Sequence, residues 1–307
     1  MENVVILGSG AAGYTAAIYT ARANLNPLLV DGSQPGGQLT TTTEVENYPG
    51  FPDGVDGFAL MEAMRRQAER FGTRFVSASA VESRLTQQPL EVVLDNGDTL
   101  QTRTLIIATG ATARYLGLPS EQALIGRGVS ACATCDGAFY KDVPVAVVGG
   151  GDTAMEEALF LTRYASEVFV IHRRDRFRAS EIMARRVLSH PKIRVIWNTV
   201  VEEVLDPQRK EVTGLRLKNV RSGESMSLAV KALFVAIGHQ PNTAPFGDQL
   251  EKDANGYLVT QNTRTRIPGV YAAGDVADPV YRQAVTAAGT GCMAALEATR
   301  YLESLAH

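Results

Sequence analysis

Apolar residues gather in short unbroken runs along this chain. Val4–Leu7, Pro27–Val30, Leu105–Ala108, Val145–Val148, Val168–Ile171 and Leu233–Ile237 are each of strand length and read as buried strands. A helical stretch rich in alanine follows the first run, from Tyr14 to about Ala23, and a second helical stretch, Met155–Arg163, follows the fourth. The order strand, helix, strand therefore occurs twice, as two βαβ units. The second unit repeats the first. Gly8 lies 23 residues before Asp31, and Gly149 lies 23 residues before His172. Each unit closes later on a similar strand and glycine, Leu105–Gly110 and Leu233–Gly238.

Between strand and helix the first unit carries Gly8-Ser9-Gly10-Ala11-Ala12-Gly13. The second carries Gly149-Gly150-Gly151-Asp152-Thr153-Ala154. One such motif fits a plain glycine turn; two, each placed between a strand and a helix with equal spacing, predict two dinucleotide sites. Glycine lets the backbone approach a pyrophosphate, and the helix N-terminus offers N–H groups and the positive end of a dipole. The two sites differ at the end of the next strand. Asp31, followed by Gly32, suits a ribose hydroxyl. The second unit has His172-Arg173-Arg174-Asp175-Arg176-Phe177-Arg178 there, a run suited to a 2′-phosphate, and so to NADPH over NADH. The alternative, a solvated basic face engaged in ion pairs, leaves the coincidence with the specificity position unexplained.

With NADPH at one site, FAD is the expected acceptor at the other. Thr265–Asp275 adds a short strand delivering Gly274-Asp275, whose carboxylate can accept from a ribitol hydroxyl. Because this signature follows the second unit, the first domain is expected to be split. The fold class is then α/β, with two Rossmann-like (three-layer ββα) dinucleotide-binding domains. Residues 1–113 and 242–307 form the FAD domain, and an inserted NADPH domain covers 114–241.

Composition narrows the picture. Glycine is in excess, 28 of 307 residues, as expected of a chain with many close backbone approaches. A formal net charge of −3 provides no basic field for nucleic acid. The apolar runs are too short to span a membrane. Met1-Glu2-Asn3 lacks a basic leader, so a cytoplasmic protein is expected. Two of the three cysteines form Cys132-Ala133-Thr134-Cys135. A structural zinc needs four ligands, and His172, His190, His239 and His307 are scattered, so no metal is expected. A CxxC in a chain that binds a hydride donor and a flavin suits reversible disulfide chemistry. Cys292, among small residues, reads as a packed inert thiol, and Trp197 as core. Asp206–Glu224 reads as a hairpin, and Gly289-Thr290-Gly291 as the point where a helix starts close to the flavin.

Several of these stretches together resemble the bacterial low-molecular-weight NADPH-dependent thioredoxin reductases. They are the first glycine motif, Gly36–Asn47 (GGQLTTTTEVEN), Cys132–Gly137 (CATCDG), the second glycine motif, the His-Arg-Arg run and Tyr281-Arg282-Gln283-Ala284. The resemblance covers essentially the whole chain. The glutathione-reductase type places its redox cysteines soon after the first glycine motif, where this chain has none; here Cys135 stands 14 residues before Gly149. The dithiol thus belongs with the NADPH domain.

The resemblance implies reduction of a thioredoxin disulfide, with Cys135 facing the flavin, Cys132 attacking the partner and Asp136 moving protons. The plainer alternative for Asp136 is a turn residue before Gly137. FAD is expected on Gly8, Gly10, Ala11, Ala12, Asp31, Gly32, Gly36, Gly37, Gln38, Asn47 and Thr109, and on Gly274, Asp275, Arg282, Gln283 and Ala284. NADPH is expected on Gly149, Gly151, Asp152, Thr153, His172, Arg173, Arg174 and Arg178. Nicotinamide and dithiol on one domain must both reach one flavin, so domain rotation about the two chain crossings, near Ala113–Leu116 and Gly238–Thr243, is expected. A homodimer is implied by resemblance alone. Ala138 stands where the family often has an aromatic, which puts the docking of thioredoxin in question. Two other readings stay open: a reductase feeding another disulfide partner in a peroxidase-type system, and a redox sensor without turnover.

Overall fold

A computed structural model of the chain describes residues 1–42 and 44–305. Thr43, within the Gly36–Asn47 motif, and the last two residues, including His307, lie outside the described residues. The chain divides into two compact units: Met1–Thr112 together with the segment from Gln240 onward, and Ala113–His239.

The first unit is built on a sheet in the order Arg74–Val76, Leu28–Val30, Glu2–Leu7, Thr99–Ile107, Leu90–Leu94, Ala80–Arg84. The first four strands run parallel, and the last two form an antiparallel meander. Val270–Ala272 adds in parallel to the final part of Thr99–Ile107. Alternation along the runs explains why they are unbroken. Val4, Ile6 and Ile106 pack with helices Ala11–Arg22, Gly57–Arg70 and Ala284–Ser304, while Val5, Leu7, Leu105 and Ile107 pack with Leu85, Leu90, Val92 and Phe246. Both faces are covered, so neither alternate set is polar. Each side chain so buried contributes about 1.5–3 kcal/mol.

The second unit repeats this plan. Its parallel sheet runs Ile193–Ile196, Glu167–Ile171, Pro144–Gly149, Ala232–Ala236, Val129–Ser130. Helices Asp152–Leu161 and Glu181–Leu188 join the core that holds Val145, Val147 and Phe234. Ala146, Leu233 and Val235 pack with Val201, Leu215 and Leu217 of a three-stranded antiparallel sheet. This is the expected three-layer ββα arrangement. The expected hairpin lies slightly later, with Leu215–Asn219 pairing with Ser225–Leu228.

Both nucleotide-turn helices begin at the glycine itself. Tyr14 N–H donates to Gly10 O at 3.0 Å and Met155 N–H to Gly151 O at 3.2 Å, so the helices start at Ala11 and Asp152, three residues before the positions read from the apolar pattern. Near the chain crossings, Asn242 N–H donates to Gly110 O in the first unit, and Arg114 N–H to Gly238 O in the second.

Two expectations are corrected. Gly289-Thr290-Gly291 does not start a helix; it lies inside Ala284–Ser304. A Cβ at Gly291 would overlap the Ala12 carbonyl, so this glycine lets two helices touch backbone to backbone. Trp197 is half-buried rather than core, with its ring 4.5 Å from that of Phe177. Cys292 is half-buried on the same long helix, beside Tyr19. Gly291→Ala is expected to cost about 1–3 kcal/mol through overpacking. Scanning calorimetry checks this as a thermal midpoint lowered by several degrees.

Candidate functional site

At the first turn Gly8 takes φ +102°, and a Cβ there would overlap the Ala108 carbonyl. At Gly10 a Cβ would meet nothing within 4 Å. No side chain caps the helix that follows, so its first N–H groups are left for an anion. The second turn repeats the close approach and the open position, although Gly149, unlike Gly8, does not take a positive φ. A Cβ at Gly149 would overlap the Ala236 carbonyl, Gly151 faces open space, and no side chain caps the helix. Two such cradles fit two pyrophosphates.

Ser9 ties the first cradle together. Its buried hydroxyl donates to Asp31 O at 2.7 Å and accepts from Gly36 N–H at 3.0 Å. Gly36 and Gly37 both take positive φ, and a Cβ at Gly37 would stand 3.2 Å from Gly10 Cα. The segments at Gly8–Ala12, Asp31–Gly32 and Gly36–Gln38 are thereby brought together. Sequence reading passed over Ser9 because it fills a variable position of the glycine motif.

The Asp31 carboxylate departs from expectation. It does not face open space: its side chain is 1% exposed, and it pairs with Arg65 Nη1 at 3.1 Å, with Ser77 Oγ at 3.4 Å. The Arg65 guanidinium lies over the Phe75 ring at 4.2 Å, and its Nε donates to Glu69. A carboxylate placed at a strand end for a ribose is here neutralised by a cation from the helix Gly57–Arg70. Arg65 gave no motif signal, because a basic residue on an amphipathic helix reads as solvated surface.

The other flavin candidates of this unit cluster in part. Asn47 Nδ2 donates to Gln283 Oε1 at 3.4 Å. Gln38 Nε2 donates to Ala111 O, and Thr109 Oγ1 to Asn242 O at 2.8 Å. A Cβ at Gly274 would stand 2.9 Å from Ala12 Cβ, and Gly274 N–H donates to Thr290 Oγ1. The Gly274-Asp275 turn thus sits on the first glycine turn. The Asp275 carboxylate accepts no hydrogen bond from the described residues. Burial, with Asp278 nearby, pushes it up to about 6 against the opposing pull of Arg282. An acceptor that is desolvated and unpartnered by protein fits a ligand hydroxyl.

In the second unit the arginine run folds back on its glycine turn. Gly150 O accepts from Arg178 N–H at 2.7 Å and Ala179 N–H at 3.1 Å, and Asp152 Oδ1 accepts from Ser180 N–H and Oγ. Thr153 follows in the first turn of the helix. His172 is only 7% exposed; a Cβ at Gly150 would overlap its ring, so it supports the loop from beneath, and burial pushes its imidazole down. Arg173 and Arg174 are exposed, and their guanidinium groups make no hydrogen bond or ion pair with the described residues.

Cys132 and Cys135 are joined by a disulfide. Cys132 N-caps the short helix Ala133–Asp136. Its Sγ lies 3.3 Å from Thr134 Oγ1, and its N–H donates to Ser130 Oγ. Burial raises the Asp136 carboxyl above the usual aspartate range, and a hydrogen bond from Ser130 draws it partly back. Among the described residues no cluster of three or more His, Cys, Asp or Glu could hold a metal. No helix among them is long and apolar enough to cross a membrane.

Two nucleotide cradles and one CxxC disulfide define a class: a two-nucleotide disulfide oxidoreductase. The family described as pyridine nucleotide-disulphide oxidoreductase matches residues 2–291. Thioredoxin reductase of Escherichia coli O157:H7 is 55% identical, over 99% of this chain and 97% of its own length. That of Coxiella burnetii is 54% identical with the same coverage. The solved thioredoxin reductase of Giardia duodenalis superposes with a TM-score of 0.92 at 42% identity, covering 98% of both chains. That of Streptococcus pyogenes gives 0.93 at 39%, covering 99% of both. The chain belongs to the pyridine nucleotide-disulphide oxidoreductase family and, within it, to the low-molecular-weight thioredoxin reductases.

The Asp275 shift has a defined sign. Its charge is costly in the folded state, so the cost is absent near pH 4, grows as pH rises from the ordinary 3.8 to about 6, and persists above. In flavin-free protein, Asp275→Asn is expected to raise the thermal midpoint at pH 7.5 and leave it unchanged at pH 4. Melting curves at the two pH values check this.

Proposed function

We propose that this protein passes electrons from NADPH, through FAD and the Cys132–Cys135 disulfide, to the disulfide of a thioredoxin. The observation that carries the reading is the CxxC disulfide held in the same unit as the arginine-flanked nucleotide turn. The first glycine turn, with Gly36–Gln38, Asn47, Thr109, Asp275 and Arg282–Ala284, would hold FAD. The second, with Asp152, Thr153 and the arginine run, would hold NADPH. Held at the first turn, FAD would supply two-electron chemistry between a nicotinamide hydride and a disulfide.

The chain's own residues do the rest. Reduction opens the Cys132–Cys135 bond to two sulfurs. Asp136 follows Cys135 directly, and burial makes its carboxyl hold a proton more tightly than an exposed aspartate does, which suits it to exchange a proton with those sulfurs. The Cys132 thiolate attacks a sulfur of the thioredoxin disulfide, and the other thioredoxin sulfur leaves as a thiolate. Cys135 then attacks Cys132 in the mixed disulfide, re-forming the CxxC disulfide and releasing dithiol thioredoxin. Rotation of the domain at 114–241 about its two crossings lets the dithiol and the nicotinamide take turns at one flavin. The protein acts in the cytoplasm as a homodimer.

Cys132→Ser is expected to abolish thioredoxin-dependent NADPH oxidation while NADPH still bleaches the flavin bands anaerobically. Stopped-flow absorbance separates the two. Arg173→Ala with Arg174→Ala is expected to raise KM for NADPH about tenfold or more and leave KM for NADH nearly unchanged, as loss of charge-assisted bonds to a 2′-phosphate requires. Steady-state kinetics with both coenzymes checks it; equal effects would refute the assignment.

A further inference from the structure

Arg282, Gln283 and Ala284, assigned above to the flavin site, stand at the end of a loop that regular structure does not hold. Residues 277–283 join the Gly274–Val276 turn to the helix Ala284–Ser304. Hydrophobic burial does not anchor this loop either, since Val280 is 66% and Tyr281 67% exposed. Hydrogen bonds hold it: the Gln283 amide donates to Tyr281 O at 3.1 Å and Arg282 O at 3.2 Å, and one carboxylate gathers three backbone N–H groups. Asp278 Oδ1 accepts from Val280 N–H at 2.9 Å and Tyr281 N–H at 2.8 Å, and Oδ2 accepts from Arg282 N–H at 3.0 Å.

That grip imposes an unfavourable backbone. Arg282 takes φ +49°, the left-handed region that L side chains other than Asn and Asp disfavour. Its guanidinium donates to Pro279 O at 3.0 Å, closing the same turn. Directly after it, Gln283 caps the long helix, with its N–H donating to Thr286 Oγ1 at 3.3 Å and its Oε1 accepting from Asn47. Without the turn at Arg282, the chain would reach Gln283 from another direction.

We propose that Asp278 is a positioning residue of the flavin site: by binding three successive backbone N–H groups it enforces the left-handed turn at Arg282, which delivers Gln283 and Ala284 to the flavin. The proposal rests on the flavin assignment above. Asp278 acts through residues 282–284 and touches no reacting atom.

The test measures FAD affinity by fluorescence titration of flavin-stripped protein, for wild type, Asp278→Ala, Arg282→Asn and the double variant. Asparagine adopts the left-handed conformation more readily than arginine, so it should supply what Asp278 otherwise enforces. Asp278→Ala is expected to weaken FAD binding about tenfold or more in the wild-type background, and less than about threefold beside Arg282→Asn. The thermal midpoint of the flavin-free protein should stay where it is. An equal penalty in both backgrounds, or no penalty, overturns the proposal. So does a lowered midpoint with unchanged FAD affinity, which would give Asp278 a purely structural part. Should Asp278→Ala fail to fold, Asp278→Asn serves: it keeps one acceptor oxygen but turns an N–H₂ toward Arg282 N–H, so weakened binding is expected and wild-type affinity overturns. If wild type itself takes up no FAD, the flavin assignment fails and the proposal with it, an outcome distinct from equal binding by wild type and variant.

Discussion

Everything in this molecule hangs on backbone lying against backbone where a central strand turns into a helix. The Ala108 carbonyl closes against Gly8, and the Ala236 carbonyl against Gly149, at distances no side chain allows. That closeness aims each helix N-terminus at open space beyond the carboxyl end of its strand. The strand order, the parallel pairing and the uncapped helix starts all serve this one junction, and the chain builds it twice. In the first copy Gly274 and Gly291 extend the same constraint, bringing a second turn and a second helix onto Ala12.

Charge then makes the two copies different. In the first, the strand-end carboxylate is closed off by Arg65, stacked on Phe75, so the polar end of that strand is internally neutral. In the second, the strand ends in a buried imidazole beneath the glycine turn, while Arg173 and Arg174 stay in solvent. Pairing a cation with a carboxylate removes the field of both, whereas exposed guanidinium groups keep theirs for a phosphate. One scaffold therefore offers two electrostatic surfaces on the same strand-to-helix plan.

Much of this was legible in the residues. The two βαβ units, the split of one unit around the other and the CxxC follow from apolar runs, glycine spacing and cysteine count, because those features obey strong local rules. The parts that escaped are set by residues distant in sequence. Ser9 pins Asp31 to Gly36, and Arg65 covers Asp31 from a helix more than thirty residues on; neither has a periodic or motif signature. Gly291 reads as a helix start because a glycine that lets two helices touch looks, in one dimension, like one at a helix terminus. Trp197 reads as core, yet its ring packs on His172 and Phe177, which follow the carboxyl end of the strand Glu167–Ile171.

The split of the first unit also bears on how the protein is made. Val270–Ala272, which completes the sheet beside Leu105–Ile107, and the helix that covers Ala12 both come from the last part of the chain. A ribosome delivers them only after the whole inserted unit has emerged. The insert holds every strand of its own sheet within Ala113–His239 and can close its core while synthesis continues. The first unit must wait with one helix face uncovered. Its assembly is therefore a late, long-range closure, slow by topology and the stage at which newborn chains most need protection from one another.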